Sequence, residues 1–145
     1  MGTVIETQKD TERLIENTHE SVKLTLDTGH MLFAKGDSKS ILQNYHERIL
    51  HVHCKDIRKQ VLEKSLKEDL SFRGAFLEGA FTVPGDGCID YQPLFNELKN
   101  NNYSGWLVVE AEQDPAKANP LEYAKIGYKY LTDTLKKSEI EIYKN

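Results

Sequence analysis

Val22-Lys23-Leu24-Thr25-Leu26-Asp27-Thr28-Gly29-His30 is the stretch on which the fold turns. From Val22 to Leu26 apolar and polar residues alternate in types that favour extended backbone, so the run reads as a strand ending at Asp27. Gly29, between Asp27 and His30, lets a loop turn sharply and bring the imidazole back over the strand end. The same grammar recurs further along. Ile49–Cys54 is a second strand, followed by Lys55 and Asp56, and Trp106–Val109 is a third, followed by Glu110-Ala111-Glu112. Helical patterns fill the gaps: 8–18 behind the capping-type Thr7, 38–48 with Ser38 as N-cap, a polar stretch from Asp56 to about Glu78, and 90–100. The last helix runs from about Pro120 to Lys136, with Tyr123, Ile126, Tyr130 and Leu131 at core spacing. A weaker strand is expected at Ala80–Val83, ahead of a Gly/Pro loop, and Met1–Glu6 looks like the loop that follows a strand.

Strand and helix in alternation imply an α/β fold with a parallel sheet and right-handed crossovers. With 145 residues the chain makes one unit, 1–145, and is short of the roughly 250 residues of an eight-stranded α/β barrel. Its strand count is half of such a barrel. The charge balance, 23 acidic against 19 basic residues, argues against a nucleic-acid groove, which needs excess Lys and Arg. No apolar run approaches the roughly 20 residues that span a membrane, and the first residues lack the features of a secretory leader. Cys54 and Cys88 are too few for a disulfide framework, so a cytoplasmic, reducing setting is expected.

In parallel α/β proteins the active site lies beyond the C-terminal ends of the strands. Here three clear strands end in a carboxylate, an imidazole and a carboxylate: Asp27, His53 and Glu110. Such a set suits a divalent cation held by mixed oxygen and nitrogen ligands, Mn2+, Co2+ or Mg2+ rather than a thiolate-seeking ion. Each residue alone has a plainer reading. Asp27 could be a helix cap, Glu112 a surface acid, and Lys55-Asp56 a salt-bridged turn. Their joint occurrence is harder to dismiss. Period-two alternation puts His51 and His53 on one side and turns Cys54 towards the helices. His30 should lie near the same mouth, as ligand, substrate hydrogen-bonder or proton shuttle.

Three segments carry a family resemblance: residues 24–37 (LTLDTGHMLFAKGD), 51–58 (HVHCKDIR) and 83–115, the last containing PGDGCIDY and YSGWLVVEAEQDP. Together they resemble the xylose-isomerase-like barrel superfamily, and within it the inosose dehydratases. The resemblance implies the C-terminal half of a (β/α)8 TIM barrel, roughly strands 5–8 with their helices. It also implies a hydro-lyase that loses water from 2-keto-myo-inositol through an enolate, in inositol catabolism. On that footing Asp27, His53 and Glu110 are three of four metal ligands, from strands five, six and eight, with the fourth at the end of strand four. His30 and Arg58 match substrate-binding positions, Glu6 is placed in a substrate-facing loop, and Glu110 and His30 carry the catalysis. The expected partner is a small polyhydroxylated ketone; a homo-oligomer is compatible.

Three other readings compete. A sugar epimerase or isomerase of the same superfamily would use the same intermediate and return the proton elsewhere. Endonuclease IV shares an Asp-Thr-x-His element but needs more histidines than the five present, and a basic surface. A truncated remnant without activity is the third.

Overall fold

The computed structural model describes residues 3–143. Thr3–Thr7 has no regular structure, and Met1 and Gly2, which the loop expectation includes, lie outside the described residues. The first helix, α1 (Gln8–Glu16), starts with a reciprocal cap in which the Thr7 hydroxyl accepts from the Asp10 N–H and the Asp10 carboxylate accepts from the Thr7 N–H. Next come β1 (Leu24–Asp27), α2 (Thr28–Phe33) and α3 (Ser38–Tyr45), the last leading through a single 3-10 turn into β2 (Ile49–Cys54). Asp37, rather than Ser38, caps α3, through a 2.9 Å bond from the Lys39 N–H.

The stretch expected as one long helix is divided. Asp56–Ile57 is extended (β3), α4 covers Lys59–Lys67 and α5 covers Phe72–Leu77. The helices part at Asp69, whose φ of 52° takes the chain out of the helical region, and Ser71 then caps α5. Phe81–Thr82 (β4) pairs antiparallel with β3 and does not join the main sheet. The weak strand expected near Ala80–Val83 therefore exists, but as half of a two-stranded clasp. Its partner is β3, where Asp56 also anchors the loop after β4: the Asp56 carboxylate accepts the N–H groups of Gly85 and Ile89.

Beyond this loop, α6 (Tyr91–Asn100) buries Tyr91, Leu94, Phe95 and Leu98, the i, i+3, i+4, i+7 stripe of a helix lying on a core. β5 (Trp106–Val109) and α7 (Pro120–Lys137) complete the chain. Asn119 caps α7 with Pro120 in its first turn; the buried face is Gly127, Leu131, Thr134 and Leu135. Ile126, expected in the core, is 44% exposed, because it falls on the opposite side of that face.

The main sheet is parallel, with order β1-β2-β5. No strand stands between β2 and β5 among the described residues, so the three strands at whose C-terminal ends Asp27, His53 and Glu110 stand are immediate neighbours. Leu26, Val52 and Cys54 point to the helix side, where they pack with Ile41 and Leu42 of α3, Phe95 and Leu98 of α6, and Leu131 and Leu135 of α7. A second cluster, Ile57, Ala75, Ala80 and Phe81, sits under α4 and α5. The other face of the sheet is open: Thr25 and Trp106 are exposed there and His51 is half-buried. Among the described residues no helix is long and apolar enough to cross a membrane.

Candidate metal centre

The register brings the three strand ends together. Asp27 of β1 lies opposite His53 of β2, and His53 lies opposite Val108 of β5. Glu110, two residues past Val108, points to the same side, and its N–H extends the ladder to the Cys54 carbonyl at 3.4 Å. One ligand-type atom from each of Asp27, His53 and Glu110 falls within 4.8 Å of the others. The His53 Nδ1 is in direct contact with one Glu110 oxygen, Oε2, and stands 3.8 Å from Asp27 Oδ2.

Asp27 is both a cap and a member of this cluster. Its Oδ1 accepts the His30 N–H at 2.9 Å and so begins α2, while Oδ2 faces the neighbouring side chains. The loop expected after β1 is therefore a helix. Gly29 lies in that helix, without the sharp turn expected of it, and His30 is carried by the first turn of α2 to the mouth of the site. The His30 ring rests against Phe72 and Phe81, with centroids at 5.5 and 5.3 Å, so the second apolar cluster forms its floor. Its Nε2 is 3.9 Å from Asp27 Oδ2 and 3.6 Å from Glu112 Oε2, and its Nδ1 is buried without a hydrogen-bond partner.

Lys55 and Glu112, for which a salt-bridged turn and a surface acid are the plainer readings, both belong to this group. Lys55 is 1% exposed, and its Nζ stands 3.0 Å from Asp27 Oδ2, 3.1 Å from Glu110 Oε1, 3.6 Å from Glu112 Oε1 and 2.9 Å from His30 Nε2. Burial opposes the charge of Lys55, but the charge and hydrogen bond of Asp27, the charge of Glu112 and the hydrogen bond to Glu110 outweigh it and hold the pKa above the usual lysine value. Parity was the signal for both residues. Lys55 is two past His53 and Glu112 is two past Glu110, so each shares the side of its predecessor.

The donor set fits a small divalent cation. Three carboxylates and two imidazoles converge, and Glu112 Oε2 is buried there without a hydrogen bond, the kind of lone-pair donor that a hard cation takes. Lys55 is the one fixed cation facing these three acidic side chains, so the cluster is rich in oxygen donors and poor in positive charge.

Arg58 and Glu6 occupy different positions. The Arg58 guanidinium donates to the Gly79 carbonyl, Thr82 Oγ1 and the Asp86 carboxylate, and it lies near Tyr123, so it ties the β4 loop to α7. Glu6, in the segment before α1, borders a cavity of ≈ 230 Å³ that Thr25, Asp27, His30 and Met31 also line. That cavity runs along the outer edge of β1 and meets the side-chain cluster at Asp27 and His30.

The model of the family described as xylose isomerase-like TIM barrel matches residues 1–134. The inosose dehydratase of Clostridium beijerinckii is 52% identical over 134 residues, covering 92% of this chain and 45% of the relative. The inosose dehydratase of Lactiplantibacillus plantarum is 48% identical over 136 residues, covering 93% and 45%. Among solved structures, the IOLI protein with a bound zinc atom superposes with a TM-score of 0.65 at 21% identity, over 92% of this chain and 45% of that one. The chain thus spans about half the length of the curated relatives it matches.

Proposed function

The chain belongs to the xylose isomerase-like TIM barrel family, and from that premise we propose that it is the C-terminal half of a metal-dependent dehydratase for 2-keto-myo-inositol in inositol catabolism. The reading is carried by the convergence of Asp27, His53 and Glu110 at adjacent strand ends, in a chain about half identical in sequence to inosose dehydratases. Those three residues would hold the ion, which we assign as Mn2+ or Co2+; Mg2+ shares their preference for carboxylate, and zinc is the ion of the IOLI structure. When bound, it would supply a Lewis acid that polarises the substrate ketone and acidifies the neighbouring C–H.

The rest is done by side chains. Glu110 takes the proton next to the ketone, with its position set by the β5 backbone and by Lys55. His30, held against Phe72 and Phe81, offers a nitrogen to a substrate oxygen. Departure of the β-hydroxyl as water, carrying the proton that Glu110 took, completes the elimination and restores the carboxylate. Glu6 reaches the substrate from the rim of the β1 cavity. Arg58 contacts it through a rearrangement that releases one of its present partners. The substrate is a small polyhydroxylated ketone. With a net charge of −4 the chain has no footprint for nucleic acid, and its setting is the cytoplasm.

We further propose that the chain alone does not turn over substrate. Asp27, His53 and Glu110 are each partly open to solvent, and three ligands at an open sheet face orient an ion and a ketone poorly. The test is complementation. The chain is assayed with 2-keto-myo-inositol and Mn2+ or Co2+, alone and co-expressed with the N-terminal half of the Clostridium beijerinckii relative. An ultraviolet-absorbing unsaturated product from the pair, and none from the chain alone, is the expected result. Epimerised ketohexoses with the inosose untouched would establish the epimerase reading instead.

A further inference from the structure

Lys55 is built into the site from three directions. Its N–H donates to Thr28 Oγ1 at 3.1 Å, and its carbonyl accepts from the Thr28 hydroxyl at 2.7 Å and the Tyr91 hydroxyl at 2.9 Å, so the backbone is pinned on both sides. The stem then runs across the first turn of α2 at Gly29. A methyl group there would meet Lys55 Cγ at 2.8 Å, Cβ at 3.0 Å and Cδ at 3.1 Å. The channel for the lysine thus exists because residue 29 has no side chain. The ammonium emerges over the Phe81 ring, 5.8 Å from its centroid, into the group formed by Asp27, His30, Glu110 and Glu112. At 1% exposure the side chain has no open route to solvent.

We propose that Lys55 is the resident cation of the metal site: it holds the ligand carboxylates Asp27 and Glu110 in place and remains beside them when a divalent ion binds, setting how tightly that ion is held. The proposal rests on Asp27, His53 and Glu110 being the ligands. Carboxylates brought this close repel one another, and a fixed ammonium offsets that repulsion before any ion arrives. The same ammonium, sharing two ligand residues with the ion, repels it. Lys55 is in these terms a positioning residue that trades affinity for a site formed in advance.

The experiment is a titration of Mn2+ into the chain and its Asp27→Asn, Lys55→Met and Lys55→Arg variants by calorimetry, paired with thermal unfolding with and without saturating Mn2+. Methionine keeps the length and packing of the stem and deletes the charge. Lys55→Met should bind Mn2+ at least tenfold tighter than wild type. Its melting temperature should fall in the absence of the ion and approach the wild-type value at saturation, as linkage requires. Lys55→Arg should stay within about threefold of wild-type affinity, because the charge is retained. A stability loss in Lys55→Met that saturating Mn2+ leaves unchanged would mean that the lysine only fills space, and would overturn the proposal; so would unchanged or weaker Mn2+ binding. If Lys55→Met is unfolded without the ion but folds with it, the proposal stands, and if it is unfolded under both conditions it falls. Asp27→Asn separates the two ideas: wild-type Mn2+ affinity in that variant sinks the ligand reading itself, whatever Lys55→Met does.

Discussion

Asp27 divides its two oxygens between local structure and the site, and the division makes a clean experiment. Oδ1 caps α2 through the His30 N–H, and Oδ2 faces His53 and Lys55. Asparagine caps a helix about as well as aspartate, so Asp27→Asn keeps α2 in place while removing one charge from the ligand set. We expect circular dichroism like that of wild type and a loss of Mn2+ affinity of at least tenfold, measured by calorimetry. Unchanged affinity would remove Asp27 from the ligands. Sequence weighs the cap and the ligand for this residue as rivals. In the structure both oxygens are engaged, so the two readings are compatible.

Among the elements, α2 departs most from what its residues suggest. A short Thr-Gly-His segment carries little helical signal, yet it is helical because Asp27 caps it and because Met31 and Thr28 are buried against the sheet and its neighbours. Within a helix, Gly→Ala ordinarily stabilises by about 0.5–1 kcal/mol. Gly29→Ala should do the reverse. Its methyl would press on the Lys55 stem at 2.8 Å, and overpacking of this kind costs about 1–3 kcal/mol. A lower denaturation midpoint, with an unchanged dependence on denaturant, is the expected outcome. A gain in stability would show that the lysine stem has another path. The β3–β4 clasp has a comparable origin in a buried group, since Asp56 accepts two N–H groups of the loop after β4, those of Gly85 and Ile89, and burial pushes its carboxyl above the usual aspartate value.

For the molecule as a whole, the sheet matters most. Its helix side is packed, but its other side leaves Trp106 67% exposed beside the half-buried His51, and β1 and β5 each have one unpaired edge among the described residues. Open edges and apolar faces favour association. The purified chain should therefore sediment as more than a monomer. Trp106, the single tryptophan, should report the same event as a blue shift of its emission with rising concentration. A monomer at every concentration, with red emission throughout, would show that this face is stable in water.

Sequence alone determined the kinds and order of the main elements, because strand and helix periodicities are local properties of the chain. Ile49–Cys54 and Trp106–Val109 read as they stand, and the strand ends at Asp27, His53 and Glu110 follow from where each pattern stops. The family, too, was legible in short motifs around these residues. Tertiary structure decided what depends on distance across the chain. It determined that the three strands are neighbours, and that Phe81–Thr82 turns back onto Asp56–Ile57. It also determined that Arg58 ties the β4 loop to α7, and that Lys55 enters the cluster through the gap at Gly29. Lys55 shows the physical reason. Parity along β2 gives its side of the sheet, but its burial among three carboxylates depends on two other strands and on a glycine 26 positions away, and no local pattern encodes that.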